Sequence, residues 1–157
     1  THDTSEAKMT VSGVPDQPGI AAKLFRSLAD ADVNVDMIVQ NVSDAGATDI
    51  SFTLPHEQVS AATATVDALV AEIGAKGVVT DTGIGRVSLT GAGMQTNPGV
   101  AATMFETLST SGINIEMIST SAIRISCVVR EDQAEQAVTV LHAAFELDKA
   151  PANRSDI

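Results

Sequence analysis

Two short stretches carry the residue types best suited to holding a small zwitterion: Asp16-Gln17-Pro18-Gly19-Ile20-Ala21, and Thr96-Asn97-Pro98-Gly99 at the corresponding place 80 positions later. Each Pro-Gly pair leads into a helical apolar pattern. A helix start leaves backbone amides without partners and carries a partial positive charge, so it accepts a carboxylate, and a glycine there lets a ligand approach the backbone closely. Asp16 could hold the ammonium group at the other end of a free amino acid, whereas the second loop offers no carboxylate. Asn34 and Asn114 each follow 15 positions after the glycine, and a side-chain amide both donates and accepts. For one isolated instance the plainer reading holds, that Pro-Gly turns the chain into a helix. Repetition with the asparagine shifts the balance toward binding.

Other chemistry is not supported by spacing. His2, His56 and His142 lie far apart and in no metal-ligand spacing with Cys, Asp or Glu, so they are read as surface residues and no metal site or cofactor is expected. Cys127 sits on an apolar strand face with no histidine placed to activate it, which suits a small buried core residue. Gly91-Ala92-Gly93 lacks the third glycine of a dinucleotide-binding turn. Asp30, Asp32, Glu57, Asp67, Glu72, Glu135 and Glu146 fall on helices or their ends, where a solvated acidic face is the ordinary explanation.

The elements that must position these residues come from one unit used twice. PGIAAKLFRSLADADVNVDMI, from Pro18 to Ile38, returns as PGVAATMFETLSTSGINIEMI, from Pro98 to Ile118. Self-similarity at a fixed period determines the architecture before any local assignment is made. In the first copy, Met9, Val11 and Gly13 alternate as a strand; Ala21, Leu24, Phe25 and Leu28 recur at helical spacing, with Pro18 at the first helical position. Val33, Val35, Met37 and Val39 predict a second strand, with Asn34 at its opening and its edge beside the helix start. Ile50, Phe52 and Leu54 predict a third strand. Val59 to Ile73 forms an apolar helical stripe that ends at Gly74, and Val78-Val79 suggests a short last strand. The order β-α-β-β-α-β is the split βαβ, or ferredoxin-like, unit: an α+β fold with an antiparallel sheet and two helices on one face.

The second copy repeats the pattern through Val87 and Leu89, Ala101 to Leu108, two strands around Ser119 to Ser121, the Ile123-Ile125-Cys127 face and a last helix from Ala134 to Phe145. Its first loop is two residues longer and its hairpin seven shorter, and the tail DKAPANRSDI shows no strand pattern, which leaves it one strand short. The expected modules are residues 8–82 and 85–149, with polar termini at 1–7 and 150–157 that say little about function.

Composition narrows the classes. A net charge of −11, with four Phe as the only aromatic residues, argues against nucleic acid as a partner. No apolar run approaches the roughly 18 residues of a membrane span, so no membrane partner is expected, and no secretory signal is visible. One cysteine cannot make an internal disulfide, which suits a cytoplasmic protein. Two modules of about 75 residues, with exposed sheet edges and a missing strand, predict at least a homodimer.

The paired Pro-Gly helix starts, the N-[VI]-[DE]-M-I segments, VQNVS at 39–43, and GRVSLTGAGM followed by ISTSAIRIS resemble the tandem ACT domains of aspartokinase, over nearly the whole chain. The kinase half with its Lys-x-Gly-Gly motif is absent from this sequence, so it looks like the separately made regulatory β subunit of heterotetrameric aspartokinases, or an excised regulatory region. The resemblance implies feedback control by threonine, lysine or both, bound where ACT modules meet, and a catalytic α subunit as partner. The effector contacts it implies are Asp16, Pro18, Gly19, Ile20, Ala21, Asn34, Val35, Asp36 and Gln40, with Asn114, Ile115 and Ser121 from the second module. Ser43 and Thr48 fall where the family is prone to lose inhibition when altered. Ala122 departs from the family, which usually has Glu there, so a polar contact from position 122 is not carried over. Rival readings are a stand-alone ACT tandem sensing another amino acid, or a dimerisation module without ligand. A small phosphatase of ferredoxin-like fold would need a loop arginine near the helix start, and neither loop has one.

Overall fold

A computed structural model describes residues 2–41, 46–91 and 99–146. The chain divides into two compact units, one of Ser5–Thr82 and the other of Thr1–Thr4 with Gly83–Ile157.

The first unit runs β2 (Glu6–Pro15), α1 (Ile20–Asp30), β3 (Ile38–Gln40), β4 (Ala47–Pro55), α2 (Val59–Ile73) and β5 (Gly77–Asp81), preceded in the chain by β1 (His2–Asp3). Its sheet has the order β3-β4-β2-β5, all neighbours antiparallel. Met9 and Val11 of β2 and Ile50 and Phe52 of β4 point to the helical side, where they are buried with Leu24 and Leu28 of α1 and Ala62 and Val66 of α2. The Phe25 and Phe52 rings meet edge to face with centroids 5.6 Å apart.

The second unit repeats the plan with β6 (Ile84–Thr90), α3 (Gly99–Thr110), β7 (Met117–Thr120), β8 (Arg124–Arg130) and α4 (Ala134–Glu146). Its sheet is also four-stranded, in the order β1-β6-β8-β7. The missing fourth strand is β1, which lies antiparallel to β6 with His2 opposite Val87 and Asp3 opposite Arg86. In the first unit β5 holds the matching edge, with Lys8 opposite Asp81. A basic residue on the first strand and an aspartate on the edge strand thus occur in both copies, and in the second Arg86 and Asp3 form an ion pair at 3.8 Å. Another repeated contact joins hydroxyls across the central strands: Thr10 with Ser51 at 2.9 Å and Ser88 with Ser126 at 2.8 Å.

The polar N-terminus expected over 1–7 is therefore a strand of the second unit followed by the start of β2, where Ala7 is fully buried. The first unit begins at Ser5, whose carbonyl accepts the His56 amide at 2.9 Å. Two other expectations change. Residues 33–37 form no strand, and β3 begins only at Ile38. The bonding to β4 is irregular there and centres on Thr53, whose carbonyl accepts the Asp36 amide at 2.9 Å, whose amide donates to the Met37 carbonyl at 3.0 Å and whose Oγ1 accepts the Met37 amide at 2.9 Å. Pro18 lies in the turn, and α1 starts at Ile20 behind Gly19, whose φ of 90° is left-handed. Cys127 is fully buried as expected, and desolvation pushes its thiol up to about 12.

Candidate functional site

The sequence over 11–21 builds one side of a cleft. The β2–β4 register breaks between Val11 and Val14, where Gly13 takes a left-handed φ of 64° and donates its amide to Asp49 Oδ1 at 3.0 Å. A β-carbon on Gly13 would come within 2.5 Å of the Lys76 side chain, so only glycine passes there without displacing that residue. Beyond this bulge β2 continues to Pro15, and the Asp16 amide donates to the Gly46 carbonyl at 2.9 Å.

From there the chain turns into α1, whose N-cap, Gly19, offers no side-chain hydrogen bond and whose first turn contains no acidic residue. An uncapped helix start of this kind suits a negatively charged group. Across from it stands Gln40, paired with Ile50 on β4. Together Val14, Pro15, Asp16, Gln17, Pro18, Gly19, Ile20, Ala21, Gln40 and Ile50 line a cleft of about 390 Å³. That size falls near the lower end of small-molecule sites, roughly 300–1,000 Å³. The cleft offers a helix start for a carboxylate, the Asp16 carboxylate for an ammonium group, the Gln40 amide for a hydroxyl or amine, and apolar walls from Val14, Ile20 and Ile50.

Six of the expected contacts, Asp16, Pro18, Gly19, Ile20, Ala21 and Gln40, are thus brought together. Asn34, Val35 and Asp36 are not among them. They follow α1, an 11-residue helix of roughly 16 Å, and so lie at its far end from Gly19. The Asn34 amide donates to Gln58 Oε1 at 2.7 Å, at the start of α2, and the Asp36 amide to the Thr53 carbonyl at 2.9 Å. The expectation that the asparagine lies beside its own helix start is corrected: within one module the two groups occupy opposite ends. In the second unit Asn114 and Ile115 line a separate depression of about 370 Å³ with Phe105, Ser109, Gly112 and Ile113. Ser121 is outside it, in the turn between β7 and β8, where its amide donates to the Arg124 carbonyl at 2.8 Å.

The second Pro-Gly loop, 92–98, and Ser43 lie outside the described residues. Thr48 is buried and its hydroxyl donates to the Asn41 carbonyl, which ties the start of β4 to the residue after Gln40. Val14, Pro15, Gln17 and Ile50 line the cleft without having been expected there. Alternation with Phe52 and Leu54 places Ile50 on the third strand, but its apolar type points to the core alone, and its pairing with Gln40 is seen only in the structure. Among the described residues no group of His, Cys, Asp and Glu is arranged to hold a metal, and no helix is long and apolar enough to cross a membrane.

The chain is a tandem of two ferredoxin-like modules, the first with a cleft at its helix start within the size range of small-molecule sites. Two segments of the chain, 9–69 and 87–145, match the family model described as the ACT domain. Over 148 residues the chain is 53% identical to the aspartokinase of Mycobacterium bovis, covering 93% of this chain and 35% of that protein. Among solved structures it matches that of aspartokinase alpha and beta subunits at 42% identity and a TM-score of 0.87, covering 93% of this chain and 96% of that one. The ligand-free regulatory subunit of aspartate kinase from Thermus thermophilus matches at 38% identity and a TM-score of 0.87, over 92% and 95%. The chain belongs to the ACT-domain family, as the tandem regulatory ACT part of an aspartokinase. It spans about 35% of the length of the curated aspartokinases it matches.

Proposed function

We propose that this chain is the non-catalytic regulatory part of an aspartate kinase, and that it binds threonine, lysine or both where ACT modules meet, so that end products of the aspartate pathway restrain the kinase. The observation that carries this reading is the cleft at Asp16–Ala21 and Gln40, which pairs an uncapped helix start with a carboxylate. A free amino acid carries both complementary charges. Asn34, Val35 and Asp36, which stand away from the cleft of their own module, contact the effector where that module meets another, and Asn114, Ile115 and Ser121 do so from the second module. The assembly is a homodimer, joined in the cytoplasm by a catalytic α subunit in a heterotetramer, and no cofactor takes part.

A ligand acts on the kinase only through a different affinity for its conformational states. Calorimetric titration of the chain with threonine, lysine, methionine and isoleucine tests the reading. Saturable heat with threonine or lysine, and none with isoleucine, is the expected result; a response to none of the four would favour the rival readings, an effector outside this set or a dimerisation role without ligand. Copurification with a longer chain carrying the same repeat is the expected sign of the catalytic partner.

A further inference from the structure

Gln58 and Gln133 stand at the same place in the two copies, each closing the short 3₁₀ turn that leads into the second helix of its module. Both reach toward the loop after the first helix, but they make different bonds. Gln58 Oε1 accepts the Asn34 amide at 2.7 Å. Gln133 uses its nitrogen, donating to the Gly112 carbonyl at 3.5 Å, at the limit of a hydrogen bond, and leaves the Asn114 amide to other partners or to water.

Consider what holds residues 33–37. Val33 and Met37 are buried at either end. The Val33 amide bonds the Leu28 carbonyl at 3.0 Å, Asp36 the Thr53 carbonyl at 2.9 Å and Met37 Thr53 Oγ1 at 2.9 Å. Those bonds come from α1 and β4, the elements that flank the loop. Asn34 alone is held by a side chain from the turn before α2. Asn34 and Asp36 are both exposed, so an amide and a carboxylate two residues apart are presented on a backbone bonded from three directions.

We infer that Gln58 is a positioning residue for effector binding by the first module: its side-chain oxygen fixes the Asn34–Asp36 backbone in the conformation that meets an amino acid. The inference rests on the proposed function, in which these three residues are contacts. Fixing the backbone of a residue costs conformational entropy, and a loop ordered before binding does not incur that cost on binding. The second module lacks this clamp, so its Asn114 loop orders more of itself on binding.

The test compares wild type, Gln58→Ala, Gln58→Glu and Gln133→Ala by threonine and lysine calorimetry, with amide exchange at Asn34 and thermal unfolding measured alongside. Gln58→Ala is expected to weaken the stronger-binding effector about three- to tenfold and to speed exchange at Asn34, with little change in melting temperature. Gln58→Glu, whose carboxylate can accept the same bond, is expected to restore both. Gln133→Ala is expected to leave affinity within twofold. Wild-type binding that is unaltered in Gln58→Ala overturns the inference and leaves the proposed function standing. A loss that Gln58→Glu does not restore, or one matched by an equal fall in melting temperature, also overturns it. Absence of wild-type binding overturns the proposed function instead.

Discussion

Asp32 and Gly112 occupy one position of the repeat, and both have a left-handed backbone, with φ of 64° and 74°. Each ends its helix in the same way: the Val33 amide reaches back to Leu28 at 3.0 Å, and the Ile113 amide to Leu108 at 2.9 Å. A β-carbon in this conformation costs roughly 1–2 kcal/mol, less for aspartate than for most residues. Asp32→Gly is therefore expected to stabilise the first module by about 0.5–1 kcal/mol, and Gly112→Ala to destabilise the second by about 1 kcal/mol, in urea unfolding curves. Aspartate at position 32 is a weaker sign of a left-handed turn than glycine, whereas Gly74 marked its helix end openly. Cys127 was legible from its strand face, and its environment makes a second prediction. The buried thiol stays neutral to about 12, against an ordinary value of 9.0, while the unfolded chain ionises near the latter. Above pH 9 the unfolded state binds fewer protons, so stability falls with rising pH, by at most ~1.4 kcal/mol per pH unit between about 9 and 12. Unfolding curves at pH 7.5 and about 10.5 should show that loss in wild type and a smaller one in Cys127→Ala.

At the scale of elements, the helices and central strands followed directly from apolar periodicity, because burial on one face imposes it. Two elements did not. The alternation from Val33 to Val39 reads as a strand, but only Ile38–Gln40 pairs, since alternate burial also fits an extended loop anchored at Val33 and Met37. Strand β1 was hidden because His2-Asp3 is too short and polar to show a period, and its partner β6 lies more than 80 positions away. Removing residues 1–4 should raise amide exchange at Val87 and its neighbours in β6 and leave the first module's β2 protected. Equal exposure of both would contradict the assignment of β1 to the second sheet. Gly85 reports on the other side of the same strand: a β-carbon there would lie 2.7 Å from Ala134 Cβ, at the start of α4. Gly85→Ala is expected to cost about 1–3 kcal/mol through that overlap, read from thermal unfolding.

For the whole molecule, the repeat made the tandem architecture and half of the candidate site legible. The remainder was not, because sequence spacing cannot tell the near end of a helix from its far end: Asn34 is 15 positions from Gly19, yet α1 separates them. The functional reading now turns on the cleft and its one carboxylate. An ammonium group held by Asp16 would make a charge-assisted bond worth roughly 1.5–3 kcal/mol, on the order of ten- to a hundredfold in affinity. The direct test is a threonine titration, by calorimetry, of wild type, Asp16→Ala and Thr96→Ala. A ten- to hundredfold weaker Kd in Asp16→Ala, with Thr96→Ala nearly unchanged, is the predicted result, whereas equal affinity in wild type and Asp16→Ala, with the fold intact by circular dichroism, would contradict the proposed site.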